Sequence, residues 1–335
     1  MTSKKKSHGS LGETLSKVDI LIPTPYKVST ITATGSVNSL INLDIFYSEV
    51  ELIDNADQVE GIIYIEFGTR DTATICRGVK PKKRKASRRN KKGKRFNNQV
   101  TVILKMWESN VLVYVNVKVF KNGNIQMTGL KDIDQGPRVI DHIIKQINDI
   151  YGKGYQQVVA TFDQIMNLNY RIRLINSDFR IGLEIKRDKL NKLIQSTYLV
   201  FSSFEPCIYP GVKIQYFWNG ETDAAYDGRC KCEGVCRGKG CGLGEGQCKK
   251  ITIAAFQSGC IIITGAQNYK QIEDAYEFIC KVVKDNRDDI EKIMPPMPPP
   301  RPPLMPQEIA DIAAEKQKKR REKQRLKAQK PKQSF

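Results

Sequence analysis

A chain of 335 residues with 40% hydrophobic residues can bury a substantial core, in one large domain or two ordinary ones. No apolar run reaches the roughly 20 residues that a bilayer-spanning helix needs, and no apolar stretch follows Lys4, Lys5 and Lys6, so neither a membrane span nor a secretory leader is expected. The net charge of +19 is uneven: 77–95 holds twelve basic residues and no acid, 307–335 carries +6 and 1–16 carries +2, leaving −1 for everything else. Basic runs of this kind neutralise nucleic-acid phosphates with little regard to sequence, and they serve equally as import signals or solvated tails.

In chain order, 1–17 reads as a basic tail. β-rich sequence follows at 28–34, then a helical stretch at 40–52 and strands at 61–67, 100–104 and 111–115, interrupted by a basic insertion at 69–98. Next come Phe120, a turn at Gly123, a strand through Ile125 to Thr128-Gly129, and a helix marked by Val139, Ile140, Ile143, Ile144 and Ile147 at i, i+3, i+4 spacing. The same succession recurs 136 residues later with Phe256, Gly259, Ile261, Thr264-Gly265 and the stripe Ala275, Tyr276, Ile279, Cys280, Val283. Upstream of that second copy, strands are predicted at 158–162, 170–174, 198–201, 212–217 and 251–256, with a helix at 189–195 and a Cys/Gly-rich insertion at 219–248. The chain is therefore divided into a first repeat (18–150), a second (151–286), a proline-rich linker (287–306) and a basic, helical, solvated tail (307–335). Each repeat has about five strands and two helices joined mostly by hairpin-length turns, which implies an α+β fold with antiparallel sheet.

These repeats resemble the two halves of the TATA-box-binding protein family. The run Phe201-Ser-Ser-Phe-Glu205-Pro-Cys207-Ile-Tyr209-Pro-Gly-Val212 is similar to the family's Phe-Ser-Ser-Tyr-Glu-Pro-Glu-Leu-Phe-Pro-Gly-Leu, and 256–267 is similar to its Phe-Val-Ser-Gly-Lys-Val-Val-Leu-Thr-Gly-Ala-Lys. Over about 20–286 the resemblance implies a saddle: a curved antiparallel sheet of about ten strands, with helices on the convex face. It also implies a transcription initiation factor that sits on the minor groove and bends promoter DNA with apolar wedges. By the same resemblance Phe120, Phe256, Tyr209 and Phe96 fall on wedge positions, each of them alternatively an ordinary sheet-packing residue. Thr128 and Thr264 fall on groove-facing threonines, Val28 on the opening strand, and Arg95 and Lys105 on basic contacts. Gln215, Asn124 and Cys260 stand where the family has cations, and its opening asparagines align with Tyr26 and Thr161, which puts TATA preference in doubt. Glu205 keeps one acid of the family's contact with transcription factor IIB, while Cys207 replaces the other.

The implied partners are A·T-rich double-stranded promoter DNA, a IIB-like factor and RNA polymerase, in a nucleus or, for a viral protein, in a viral factory or virion. The competing reading is a nonspecific DNA-binding protein or interaction scaffold on the same fold. Cys230, Cys232, Cys236, Cys241 and Cys248 place five thiols among six glycines, and a loop with so little apolar content needs a constraint such as a structural Zn2+ on four of them. Reduced, flexible thiols are the other possibility. No enzyme is expected, because the chain has two histidines, His8 and His142, and no catalytic set can be assembled around them.

Overall fold

The computed structural model describes residues 21–68, 74–81, 98–161, 165–221, 227–234, 236–292 and six positions between 314 and 322. The chain divides into one compact unit up to Lys292 and a second from Ile293 to Phe335, in which the described positions are helical and Lys319 pairs with Glu315. No helix of the described residues is long and apolar enough to cross a membrane.

Among its described residues the first unit is built on one antiparallel sheet of eleven strands. They are β1 (Lys27–Val37), β2 (Gly61–Phe67), β3 (Ile75–Gly78), β4 (Gln99–Glu108), β5 (Val111–Phe120), β6 (Asn124–Leu130), β7 (Asn167–Arg180), β8 (Ser202–Ser203), β9 (Val212–Trp218), β10 (Lys249–Ala255) and β11 (Cys260–Ala266). Their spatial order is β3-β2-β4-β5-β6-β1-β7-β11-β10-β9-β8, so the repeats meet where β1 pairs with β7. The helices are α1 (Leu43–Glu49), α2 (Gln135–Gly152), α3 (Arg187–Ser196), α4 (Tyr269–Asp285) and α5 (Arg287–Ile290).

Strand alternation decides which face is covered. Ile31, Ala33 and Val37 of β1, Val113, Val115, Val117 and Val119 of β5, and Ile251 and Ile253 of β10 are buried, and they join one core with Val139, Ile140, Ile143 and Ile147 of α2 and Ile272, Ala275, Ile279 and Val283 of α4. Both helical stripes thus face the sheet, although Ile144, Tyr276 and Cys280 lie at its margin. On the opposite face the described residues form a small buried cluster in repeat one: Ile63, Tyr64 and Ile103 with Ile53 and Tyr114.

The internal repeat extends to single hydrogen bonds. Gly123 N–H donates to Phe120 O at 3.0 Å, as does Gly259 to Phe256 O, and each glycine's carbonyl accepts from the opening strand's far end, Val37 or Ile181, at 2.9 Å. Both turns need glycine: φ is +79° and +75°, and a Cβ would stand 2.3 Å from Ser39 O in one and 2.1 Å from Leu183 O in the other. Downstream, the buried Gln135 and Gln271 each accept from a backbone N–H four residues earlier at 2.7 Å. The later part of each repeat keeps the 136-residue offset, whereas β1 and β7 match at 144: Ile31 opposes Leu130 as Ile175 opposes Ala266, and Thr32 opposes Thr128 as Asn176 opposes Thr264.

Several expectations are corrected, the first of them by that shift. The strand predicted at 158–162 is a 3-10 turn (Gln156–Val158) and a single bridge at Val159, because the opening strand of repeat two starts later, at Asn167. In place of a strand at 198–201 there is only β8, two residues long. A strand inside the basic insertion, β3, pairs with β2 and was not expected. The first unit also runs past 286, since α5 packs Ile290 into the core and Lys292 N–H donates to Glu184 O at 2.8 Å.

Candidate nucleic-acid interface and cysteine centre

The four central strands, β6, β1, β7 and β11, present Thr30, Thr32, Thr34, Thr128, Leu174, Asn176, Ile262 and Thr264 on the face without helices. Asn176 lies at the middle: its Oδ1 accepts from Thr264 Oγ1, while its Nδ2 has no partner among the described residues. Thr34 Oγ1 accepts from Arg173 Nε at 2.8 Å. The sequence alignment did not single out Asn176, because it matched the opening residue of repeat two to Thr161, fifteen residues earlier. Neither Tyr26 nor Thr161 lies in a central strand; Tyr26 stacks edge-on against Tyr276 at 5.7 Å and Thr161 is bonded to Ser39.

At the outer end of repeat two the expected aromatics come together. Tyr209 and Phe256 have ring centroids 5.7 Å apart, with Lys213 Nζ 4.5 Å from the Tyr209 ring. The turn that presents Tyr209 is closed by N–H groups of Ile208 and Tyr209 donating to Glu205 O at 2.9 and 2.8 Å. Arg187 fastens this turn to its neighbour: its guanidinium lies 4.9 Å from the Phe204 ring centroid, donates to Pro210 O, and reaches Gln257 Oε1 at 3.3 Å. Sequence reasoning had no reason to single out Arg187, since its partners are 17 to 70 residues away. Glu205 and Cys207 are exposed on the same turn. In repeat one Phe120 ends β5 on the helix-free face opposite Gln99. Its expected companions Phe96 and Arg95 lie outside the described residues.

Two expected contacts are elsewhere. Lys105 is 1% exposed: its ammonium donates to Asn55 O at 3.0 Å and to Asp57 O, so it caps the loop before β2 and is withheld from a phosphate. Val28 packs toward the helix-covered core, because the ladder shifts register between Val28 and Thr30 and turns the alternation over by one residue. His142 lies on α2; burial, then the Lys145 charge, holds its imidazole below the usual range.

The cysteine insertion replaces a tight turn. In repeat one β4 and β5 are joined by Ser109 and Asn110, both at positive φ as a two-residue hairpin requires. In repeat two the corresponding strands, β9 and β10, are separated by 219–248. Within it the Sγ atoms of Cys230, Cys232, Cys236 and Cys248 all lie within 4.8 Å of one another, with 3.6 Å between Cys230 and Cys236 and 3.8 Å between Cys230 and Cys248. A tetrahedral zinc with Zn–S of about 2.3 Å has sulfur edges of about 3.8 Å, so the donor set fits that ion. Burial, reinforced by hydrogen bonds with Cys232, Cys236 and Cys230, pushes the Cys248 thiol well up, and four ionised sulfurs at this spacing require a cation among them. Gly244 is needed for the close approach, since a Cβ there would meet Cys236 Cβ at 2.6 Å and Cys232 Sγ at 3.2 Å. Cys241, the fifth candidate, is exposed and outside the cluster, held instead in a bridge with Lys249.

The geometry defines an α+β protein of two related repeats that share one antiparallel sheet and leave one face of it largely clear of helices. In sequence the chain is 31% identical over 266 residues to the "TATA-box-binding protein-like" protein of Acanthamoeba polyphaga mimivirus, covering 77% of this chain and 64% of that relative. The resemblance carried by 201–212 and 256–267 thus has a counterpart in an observed similarity, to one TATA-box-binding protein-like protein. The chain spans less than two thirds of the relative's length. Among solved structures, Methanococcus jannaschii TBP superposes with a TM-score of 0.42 at 14% identity, covering 78% of this chain and 99% of that one. No family model matches the chain.

Proposed function

We propose that the chain binds double-stranded DNA through its helix-free face, reads the minor groove of A·T-rich promoter sequence, bends the duplex with Phe120, Phe256, Tyr209 and Phe96, and recruits a IIB-like factor and RNA polymerase through surfaces that include Glu205. The mimivirus relative favours a viral factory as the place of action. The observation that carries this reading is the composition of the central face: threonine hydroxyls and the Asn176 amide, set among aliphatic side chains between two related turns that each end in phenylalanine. The floor of A·T pairs offers acceptors at adenine N3 and thymine O2, which hydroxyl and amide donors match. Zinc held by Cys230, Cys232, Cys236 and Cys248 has a structural part only, since four thiolates leave no open position.

Competition between duplexes tests the reading. A site in which every A·T pair is replaced by inosine·cytosine keeps the minor-groove pattern and changes the major groove; it is expected to compete as well as the A·T duplex, with G·C about tenfold or more weaker. Equal competition by all three would make the chain a nonspecific binder, and failure of inosine·cytosine alone would assign it to the major groove.

The basic segment supplies a second expectation. Twelve positive charges fall within 77–95, the sequence that leads from β3 into β4, in a chain whose remainder outside the two tails is nearly neutral. If about four to six contact phosphates, deleting 82–92, which removes eight of the twelve charges and leaves β3 whole, lowers the slope of log affinity against log salt by roughly 4 to 5 units. The weakening should be uniform across sequences, because groove-facing residues are untouched. A deletion protein with the parent's salt slope would make the segment a spacer or an import signal.

A further inference from the structure

The two halves of the central face are related residue by residue, and at one pair of related positions repeat two carries an acid where repeat one does not. Thr34 on β1 lies between Gln126 of β6 and Arg171 of β7; the matching residue on β7, Asp178, lies between Ile262 of β11 and Lys27 of β1. Asp178 is the single acidic residue in the four central strands. Its neighbours Ser177 and Phe179 are buried on the helix side at 0% and 3% exposure, so the carboxylate belongs to the helix-free face. Among the described residues it forms no ion pair and accepts no side-chain hydrogen bond, although Lys27 opposes it across the ladder.

A carboxylate covered by DNA loses its hydration, a large cost unless it meets a donor. Over A·T pairs the groove floor presents only acceptors, which repel it. The guanine 2-amino group is the one hydrogen-bond donor a base pair presents in the minor groove. We infer that Asp178 accepts a hydrogen bond from the 2-amino group of a guanine in the half-site beneath repeat two, so that the recognised sequence holds a G·C pair on one side of its centre and Thr34 requires A·T at the related position on the other. The site is then polar, and the chain binds it in one orientation. This rests on the minor-groove reading proposed above.

The test replaces each pair of an A·T-rich site in turn by G·C or by inosine·cytosine, two pairs that differ only in that amino group. At one position, on the side protected by repeat two, G·C is expected to bind about tenfold tighter than inosine·cytosine; at the others the amino group should cost affinity. Asp178→Thr, which copies the residue at the related position, should abolish that advantage while binding the pure A·T duplex at least as well as the parent. The inference is overturned if G·C nowhere exceeds inosine·cytosine, or if the advantage persists in Asp178→Thr. Where inosine·cytosine is itself rejected throughout, the minor-groove reading falls and this inference with it, an outcome distinct from loss of the guanine preference alone.

Discussion

Serine in place of Cys236 is expected to strip the chain of about one bound zinc and to release the insertion between β9 and β10. Structural zinc contributes an apparent ~10–16 kcal/mol to small cysteine domains, far more than this segment could recover from its own contacts. Glycines at 234, 238, 240, 242, 244 and 246 make ordering it entropically costly, and among its described residues Cys236 and Cys248 are the two fully buried hydrophobic side chains. Backbone bonds that stitch it to the sheet, from Phe217 N–H to Gly228 O at 2.8 Å and from Lys250 N–H to Gly240 O at 2.9 Å, should open together with it. Elemental analysis and amide exchange check this: exchange over 227–248 should rise toward the unstructured rate while the central strands stay protected. Cys241→Ser is the control and should keep both metal and protection, as Cys241 stands apart from the four clustered sulfurs. Metal-free parent protein from a zinc-replete preparation, or equal zinc loss in Cys241→Ser and Cys236→Ser, would defeat the assignment.

What the sequence revealed and what it hid follow from how local each determinant is. The paired Phe, Gly, Ile and Thr-Gly positions of 120–129 and 256–265 are visible because a hairpin, its turn and its bulge are set by neighbours within ten residues. The helical stripes are visible for the same reason. The register of β7 was not, because its eight extra residues break the constant offset, and strand register is set by the partner across the sheet and not by the strand itself. Asn176 and Asp178 therefore acquire meaning only once β1 and β7 are paired. Lys105 misled for a related reason: a lysine at an alternating strand position looks outward, and only the loop at 53–57 folding over it shows that its ammonium is occupied. Five cysteines were legible as a group; which four converge depends on Cys248 coming back beside Cys230, a closure 18 residues long.

The most direct test of the account concerns the aromatic side chains at the ends of the helix-free face. Prying apart a base step costs a few kcal/mol, and a side chain inserted between the bases is what holds the step open. Phe120 and Phe256 occupy related places in the two repeats, each held by a glycine turn whose N–H donates to the phenylalanine's own carbonyl at 3.0 Å. An A·T-rich duplex labelled at both ends, titrated with the parent protein, should show energy transfer rising as the ends approach. With Phe120→Ala and Phe256→Ala combined, transfer should stay at the free-duplex value even at saturating protein. Substitution at these turns leaves the buried core intact, so an unchanged thermal midpoint checks that the variant is folded. A folded double variant that raises transfer as far as the parent does would contradict the account, and the helix-free face would then bind DNA, if at all, without wedging it open.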